Sequence, residues 1–206
     1  MTLLGLYIHG FGGHARSVGD VALASGVRSL MFVDARAKQG EAFAGFPVVQ
    51  ALPDLQDDTW GHFVAIGDNG RRRALSGGLS GYQPSLQAPT ASIGHGATIE
   101  DATLIGHQAH IGPMARIGRG SIINSGAVFD HESKIGAFSH VAVNATVAGR
   151  CLIGDDVFIG AGATVIDGIR IGDGIIVGAG ATVTRDLAEP GIYVGTPAQL
   201  LVKPGC

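Results

Sequence analysis

One column of residues constrains this chain more than anything else in it. Stepping by six from Ile93 gives Ile93, Ile99, Ile105, Ile111, Ile117, Ile123, Phe129, Ile135, Val141, Val147, Ile153, Ile159, Val165, Ile171, Val177 and Val183, which is sixteen hexads with fifteen β-branched residues and one Phe. A fixed short period marks a solenoid, and a hexapeptide period specifies a β-helix whose repeats bury their apolar sides against their neighbours. Two residues before the branched position the side chain is mostly small, as at Ala97, Ala109, Ala115, Ser121, Ala127, Ser139, Ala145, Cys151, Ala163 and Ala181. Large and small side chains thus alternate in a narrow triangular interior, and Cys151 reads as core filler. Glycine follows the branched residue at Gly94, Gly106, Gly112, Gly118, Gly136, Gly154, Gly160, Gly172 and Gly178. Such a glycine suits a corner that needs either positive φ or close backbone approach. Three hexads close one triangle, so residues i and i+18 stack and the run makes about five coils.

Composition removes several alternatives. Glycine supplies 34 of 206 residues without proline enrichment, so the chain is neither collagen-like nor a disordered tract. The net charge of −3, with no basic tract, argues against nucleic acid or anionic lipid as partner. The dense positive spot Arg71-Arg72-Arg73 reads as a solvated helix face. No apolar stretch approaches the ~18 residues of a membrane span. Met1 to Ile8 lacks a charged leader region and reads as a buried strand, not a signal peptide. Cys151 and Cys206 are too few for a disulfide framework or a metal site, and a cytoplasmic protein is the economical reading.

The first eighty or so residues are of another kind. Apolar Leu3–Ile8 runs into Gly10-Phe11-Gly12-Gly13-His14-Ala15, and helical spacing follows over Val18–Ala24. A second strand, Ser29–Val33, ends at Asp34, and a third, His62–Ile66, ends at Gly67-Asp68-Asn69. The G-x-G-x-x-A turn with an acid at the end of the next strand fits a dinucleotide fingerprint. Only one mononucleotide-binding half fits in this length, so an NAD-dependent oxidoreductase is excluded. The turn at Gly10, Gly12 and Gly13 and the helix N-terminus behind it suit phosphate oxygens. His14 reads as a phosphate or sugar contact and Asp34 as an acceptor for a ribose or base. A helix follows with Arg72, Leu75 and Leu79 at helical spacing, broken by Gly77-Gly78, Gly81 and Pro84. The expected division is residues 1–86, a half-Rossmann-like α/β mononucleotide-binding domain, and residues 87–206, a parallel β-helix.

Between Asn124 and Gly149 the glycine corners lapse and Asn124, Asp130, His131, Glu132, His140 and Asn144 appear. His131 follows the inward Phe129 by two positions, so it projects outward, with Pro113 stacked below it and Gly149 above. The hexads resemble those of the bacterial hexapeptide-repeat acyltransferases, and the acetyl transfer to an amine or hydroxyl that this resemblance implies needs a base, which a neutral His supplies. It needs a carboxylate, Glu132 or Asp130, to hold the tautomer, and an N–H donor for the oxyanion, such as Gly149. No well-placed nucleophile appears, which favours direct attack over an acyl-enzyme.

The stretch Phe129 to Gly149 is similar to the sugar O- and N-acetyltransferases typified by sialic acid O-acetyltransferase and the acetyltransferases of bacillosamine and perosamine synthesis. The resemblance implies a left-handed β-helix that forms a homotrimer with active sites between subunits. It makes His131 the general base, Glu132 its partner, Asn124 and His140 the lining of the acceptor pocket, and Gly149 a donor to the thioester carbonyl. His95, His107 and His110 match no family position and read as surface residues. The segment Pro190 to Ala198 resembles the G-x-P-A closure near the CoA adenine end, which puts Pro197 at the co-substrate and its arm along Ala161 and Ala179. In these families the glycine turn and the Gly67-Asp68-Asn69 turn hold the nucleotide, which implicates Asp68 and Asn69. The implied activity is an acetyl-CoA-dependent N-acetyltransferase of a UDP- or GDP-linked 4-amino-4,6-dideoxy sugar in surface-glycan biosynthesis. The alternatives are O-acetylation of sialic acid or a related glycan and a noncatalytic trimeric scaffold. A metal-dependent β-helix of the γ-carbonic anhydrase kind needs three converging histidines, and no metal is expected.

Overall fold

The computed structural model describes residues 4–53 and 59–201; Met1–Leu3 of the expected first strand and Cys206 lie outside them. The front domain is a five-stranded sheet with two helices. In chain order it runs β1 (Gly5–His9), α1 (Gly13–Ala24), β2 (Ser29–Val33), β3 (Ala42–Phe43), β4 (Phe46–Val49), β5 (Trp60–Val64) and α2 (Asn69–Gly78). The sheet order is β3-β4-β2-β1-β5, with only the β3–β4 pair antiparallel. The β1-α1-β2 crossover is present and the expected second strand holds to the residue, while β1 ends one residue later than expected and α1 begins at Gly13, five residues before the helical spacing at Val18. The third strand starts two residues earlier than its apolar run suggested, and the hairpin at 42–49 had no clear sequence signal.

The rest is the expected left-handed β-helix. Its first face stacks seven parallel strands from Leu86–Gln87 to Ile192–Val194, closed by antiparallel Gln199–Leu200. The second face stacks six, from Ser92–Ile93 to Thr182–Val183, and the third five, from Thr98–Ile99 to Arg170–Ile171. That is about six coils where the hexads alone gave five, because the first face gains a strand at each end outside the hexad run. Pairing is in register at i and i+18 from Leu86 to Val183, as between Ile111 and Phe129 and between Phe129 and Val147, and shortens to i+16 at the last strand, where Ile176 pairs with Ile192. From Ile105 to Val183 every branched position is buried, while Ile93 is 41% exposed on the first coil.

The two readings of the corner glycine separate. A Cβ on Gly112 would meet the backbone of Asp130 and His131 in the next coil, so close approach is its reason. Positive φ falls two residues later, at Met114 (φ 61), Glu132 (φ 58), Asn144 (φ 55) and Arg150 (φ 56) among others. The small inward side chains also tie coils together: Ser121 Oγ donates to Gly136 O (2.7 Å) and accepts from Ser139 N (3.0 Å). Cys151 is fully buried in this system, with its N donating to Ser133 Oγ at 3.0 Å.

The front domain sits on the first face, and its apolar core runs on into Leu86, Ala88, Leu104 and Ile122. Those outward side chains explain why the early strands of this face are apolar on both sides. No helix among the described residues is long and apolar enough to cross a membrane. Phe129 is wholly buried in the solenoid interior. Phe129→Ala is expected to destabilise by about 3–5 kcal/mol through a cavity that rigid coils cannot close, measured by denaturant unfolding; a loss below about 1 kcal/mol would contradict this packing.

Candidate active site

The glycine turn lies where parallel strands end, the usual position of a ligand crevice in an open α/β sheet. Gly10 has φ 110, and a Cβ there would come 3.2 Å from Ala65 O at the end of β5. Gly12 and Gly13 open onto free space at the start of α1, which has no side-chain cap. Asp34 turns this loop. Its Oδ2 accepts from Phe11 N (3.1 Å) and its Oδ1 from Arg36 N (2.9 Å), and the Arg36 guanidinium holds the carboxyl below the usual carboxylate range. The expected ribose or base acceptor is therefore already engaged in shaping the turn. A cavity of about 500 Å³ opens beside it, lined by Gly12, Gly13, His14, Arg36, Arg71 and Leu75 among others.

The Arg71–Arg73 run is not a solvated face. Arg72 is 1% exposed. Its Nε donates to Gly120 O (2.8 Å), one terminal nitrogen to Ile66 O (3.0 Å) and Gly67 O (3.2 Å), and the other to Asn69 Oδ1 (2.8 Å), Phe138 O (2.8 Å) and Ser139 O (3.3 Å). One guanidinium thus ties the β5–α2 turn to two coils, and burial brings it down to about 10. Arg73 stacks on Phe138 and pairs with Asp156 at 2.8 Å. Leu75, at helical spacing from Arg72, is exposed. A helix short of apolar residues buries polar ones only where carbonyls await them.

Asp68 and Asn69 have structural partners. Asp68 caps α2 by accepting from Arg71 N at 2.8 Å. The Asn69 amide donates to Asp156 O (3.0 Å) and Val157 O (3.1 Å) while its oxygen takes Arg72.

Three expected acceptor residues converge. His140, on the first face, lies 3.2 Å from Asn124 Nδ2 through Nε2 and 3.4 Å from Gly67 O through Nδ1. The His14 ring is 6.1 Å from the His140 ring, and His14 Nε2 is buried without a hydrogen-bond partner. Burial and then Arg72 hold both imidazoles neutral, His14 at about 4 and His140 at about 3.

His131 stands elsewhere, at the corner between the second and third faces. Its N–H donates to Asp130 Oδ1 (2.6 Å), and its Nδ1 lies 3.2 Å from the same oxygen. The ring rests on Gly149, where an added Cβ would fall 2.7 Å from Nδ1 and closer still to Cε1 and Nε2. Arg150 N donates to His131 O and Glu132 N to Pro113 O, both at 2.9 Å, so the expected stack of Pro113, His131 and Gly149 is present. The carboxylate touching His131 is Asp130; Glu132 points into solvent from a left-handed backbone position. The small ledge expected for the co-substrate arm exists: Ala161 and Ala179 are exposed and stacked, with Gly180 N donating to Ala161 O at 2.9 Å, and Pro197 is exposed beyond them. This ledge and Asn124 share the corner between the first and second faces, so one chain holds the acceptor pocket and His131 on different edges. His107 is half-buried and within 2.8 Å of Thr90 Oγ1, a contact between coils and not a free surface group. Among the described residues no group of three or more His, Cys, Asp or Glu is placed to hold a metal.

Two family models match the chain, the PglD N-terminal domain over residues 5–79 and the bacterial transferase hexapeptide over 150–185. A solved perosamine N-acetyltransferase variant from Caulobacter crescentus, in complex with CoA and GDP-perosamine, is 33% identical, covers 97% of each chain and superposes with a TM-score of 0.88. The chain belongs to the hexapeptide-repeat sugar acetyltransferases. The acetyltransferase domain of PglB from Neisseria gonorrhoeae FA1090 in complex with acetyl coenzyme A is also similar, at 29% identity, 97% of this chain, 100% of that one and a TM-score of 0.91.

His9, buried against His62 at 3.1 Å, is likewise held at about 4, chiefly by burial. Unfolded histidines take a proton near 6.5, so His9, His14 and His140 make the unfolded chain bind more protons as pH falls from there to about 4. The melting temperature of this acetyltransferase should therefore drop across that interval, and His140→Gln should flatten the drop. A melting temperature constant from neutral pH to about 4.5 would contradict it.

Proposed function

We propose that this acetyltransferase moves an acetyl group from acetyl-CoA to the amino group of a UDP- or GDP-linked 4-amino-4,6-dideoxy sugar, within the cytoplasmic stage of surface-glycan synthesis. The observation that carries the reading is the joint presence, in one chain, of a basic nucleotide-sized cavity and an exposed histidine seated on a glycine of the solenoid. The relative solved with CoA and GDP-perosamine, matched over nearly its whole length, supports it.

The division of labour follows the expected boundary. Residues 1–86 bind the nucleotide: the α1 N-terminus at Gly10, Gly12 and Gly13 faces the diphosphate, and Asp34, Asp68 and Asn69 hold the two turns in shape. Arg71, which the sequence reading missed, lines the same cavity and adds a positive charge. The His14 Nε2 that lacks a protein partner takes a sugar or phosphate oxygen. Residues 87–206 carry the chemistry. Asn124 and the neutral His140 flank the sugar, and the co-substrate arm lies along Ala161 and Ala179 to Pro197. His131 Nε2 accepts the amine proton as nitrogen attacks the thioester carbon, and the Gly149 N–H donates to the developing oxyanion. Glu132 adds a second carboxylate at this corner. The C–S bond then breaks and the thiolate takes the proton from His131. A homotrimer lets the His131 corner of one copy meet the acceptor edge of the next, which the separation of the two sets within one chain supports. The His131 ring leaves no room for a side chain at Gly149 above it.

Thiol release with nucleotide-linked amino sugars tests the roles. His131→Asn is expected to lower kcat by about 10²-fold or more, with folding unchanged by circular dichroism; full activity in that variant would remove His131 as base. Arg71→Gln is expected to raise the KM of the nucleotide sugar about 10-fold, the loss of one charge-assisted contact, while leaving the KM of acetyl-CoA alone. Equal effects on both substrates would take Arg71 out of the nucleotide site.

A further inference from the structure

We propose that Asp130 is the positioning residue of the reaction: its carboxylate fixes the His131 tautomer with the proton on Nδ1 and leaves Nε2 bare to accept the substrate proton. This rests on His131 being the base, and it assigns the orienting task to the residue before His131 in place of Glu132 after it.

The argument starts from the corner. Asp130 holds the position that glycine takes one coil below, at Gly112. A side-chain acceptor there turns back on the next peptide, as Asn124 Oδ1 does by accepting from Ser125 N at 2.8 Å. At Asp130 the next residue is a histidine, so one oxygen, Oδ1, meets both the N–H of His131 (2.6 Å) and its Nδ1 (3.2 Å). An ionised carboxylate accepts only, so the nitrogen facing it must be the one that carries hydrogen. Gly149 completes the constraint from above, because Cε1, Nε2 and Nδ1 of the ring lie where a side chain on that residue would stand. The contact at Nδ1 and the close approach of Gly149 together restrict how the ring can turn. The hydrogen bond from the His131 backbone, foremost, keeps the Asp130 carboxyl below its ordinary range, with the His131 side chain and the nearby His110 acting in the same direction. Glu132 is exposed from a left-handed backbone position, and the carboxylate that stands beside His131 Nδ1 is that of Asp130.

The proton path balances without Asp130 changing state. Nε2 takes the proton from the attacking amine while Nδ1 keeps its own, and the imidazolium so formed faces the carboxylate. Loss of the thiolate returns the Nε2 proton to sulfur and restores the starting tautomer, as in the carboxylate–histidine pairs of hydrolases.

The test reads the tautomer directly. Nitrogen-15 NMR of histidine-labelled wild-type protein is expected to show His131, assigned by its absence in His131→Asn, with protonated Nδ1 and bare Nε2. Asp130→Ala should turn the ring to the opposite tautomer and lower kcat at least ~10-fold, with both KM values within about 2-fold. Asp130→Asn, which keeps an acceptor oxygen in place, should recover part of both. A wild-type His131 protonated on Nε2 overturns the proposal, even where a variant fails to fold. So does an Asp130→Ala enzyme with wild-type kcat beside an inactive His131→Asn. A fully active His131→Asn instead refutes the base assignment on which the proposal stands.

Discussion

Everything in this molecule depends on the eighteen-residue stack. Each coil offers its backbone N–H groups to the carbonyls of the coil above, as Gly112 N does to Phe129 O and Asp130 N to Val147 O at 2.8 and 2.9 Å. Because the register holds from Leu86 to Val183, a residue's chemical surroundings there are set by positions eighteen before and after it. Function enters as a departure from the repeat: where a corner glycine becomes Asp130 and the next residue is a histidine, the coil above supplies Gly149 to receive the ring. The scaffold cost is small, since the stack itself continues unchanged through that corner.

A second constraint joins the two domains. Arg72 is charged and buried, and six oxygens from three segments solvate it. A buried charge is tolerable only when its hydrogen bonds are complete. Here completeness demands that the Ile66–Gly67 turn, α2 and the Gly120 and Phe138–Ser139 corners keep fixed relative positions. The same charge keeps His14 and His140 neutral beside it. Nucleotide cavity and acceptor pocket are thereby parts of one rigid arrangement, although the chain visits them in separate domains.

The solenoid was legible because its period is a backbone property: every sixth side chain must fill the same interior, so Ile105 to Val183 could be placed without any structure. The stacking of Pro113, His131 and Gly149 followed from the same arithmetic, and so did the exposed ledge at Ala161 and Ala179. What could not be read was every contact that crosses between domains. Arg72 looked like one of three solvent cations because its partners are main-chain carbonyls, which carry no sequence signal. Asp34 was read as a ligand group, and the structure adds a role that the sequence did not show, its oxygens accepting from the N–H groups of Phe11 and Arg36. Asp130 and Glu132 flank His131 equally in sequence; only the corner geometry, with positive φ at Glu132, chooses between them.

The central claim joins a nucleotide-linked amino sugar to acetyl transfer, and product analysis tests it most directly. The enzyme would be incubated with acetyl-CoA and UDP- or GDP-linked 4-amino-4,6-dideoxy sugars, with free sialic acid in parallel, and the products examined by NMR. The account predicts a new amide at C4 of a nucleotide-linked sugar and unmodified sialic acid. An acetyl ester on sialic acid, with every nucleotide amino sugar returned unchanged, would contradict it.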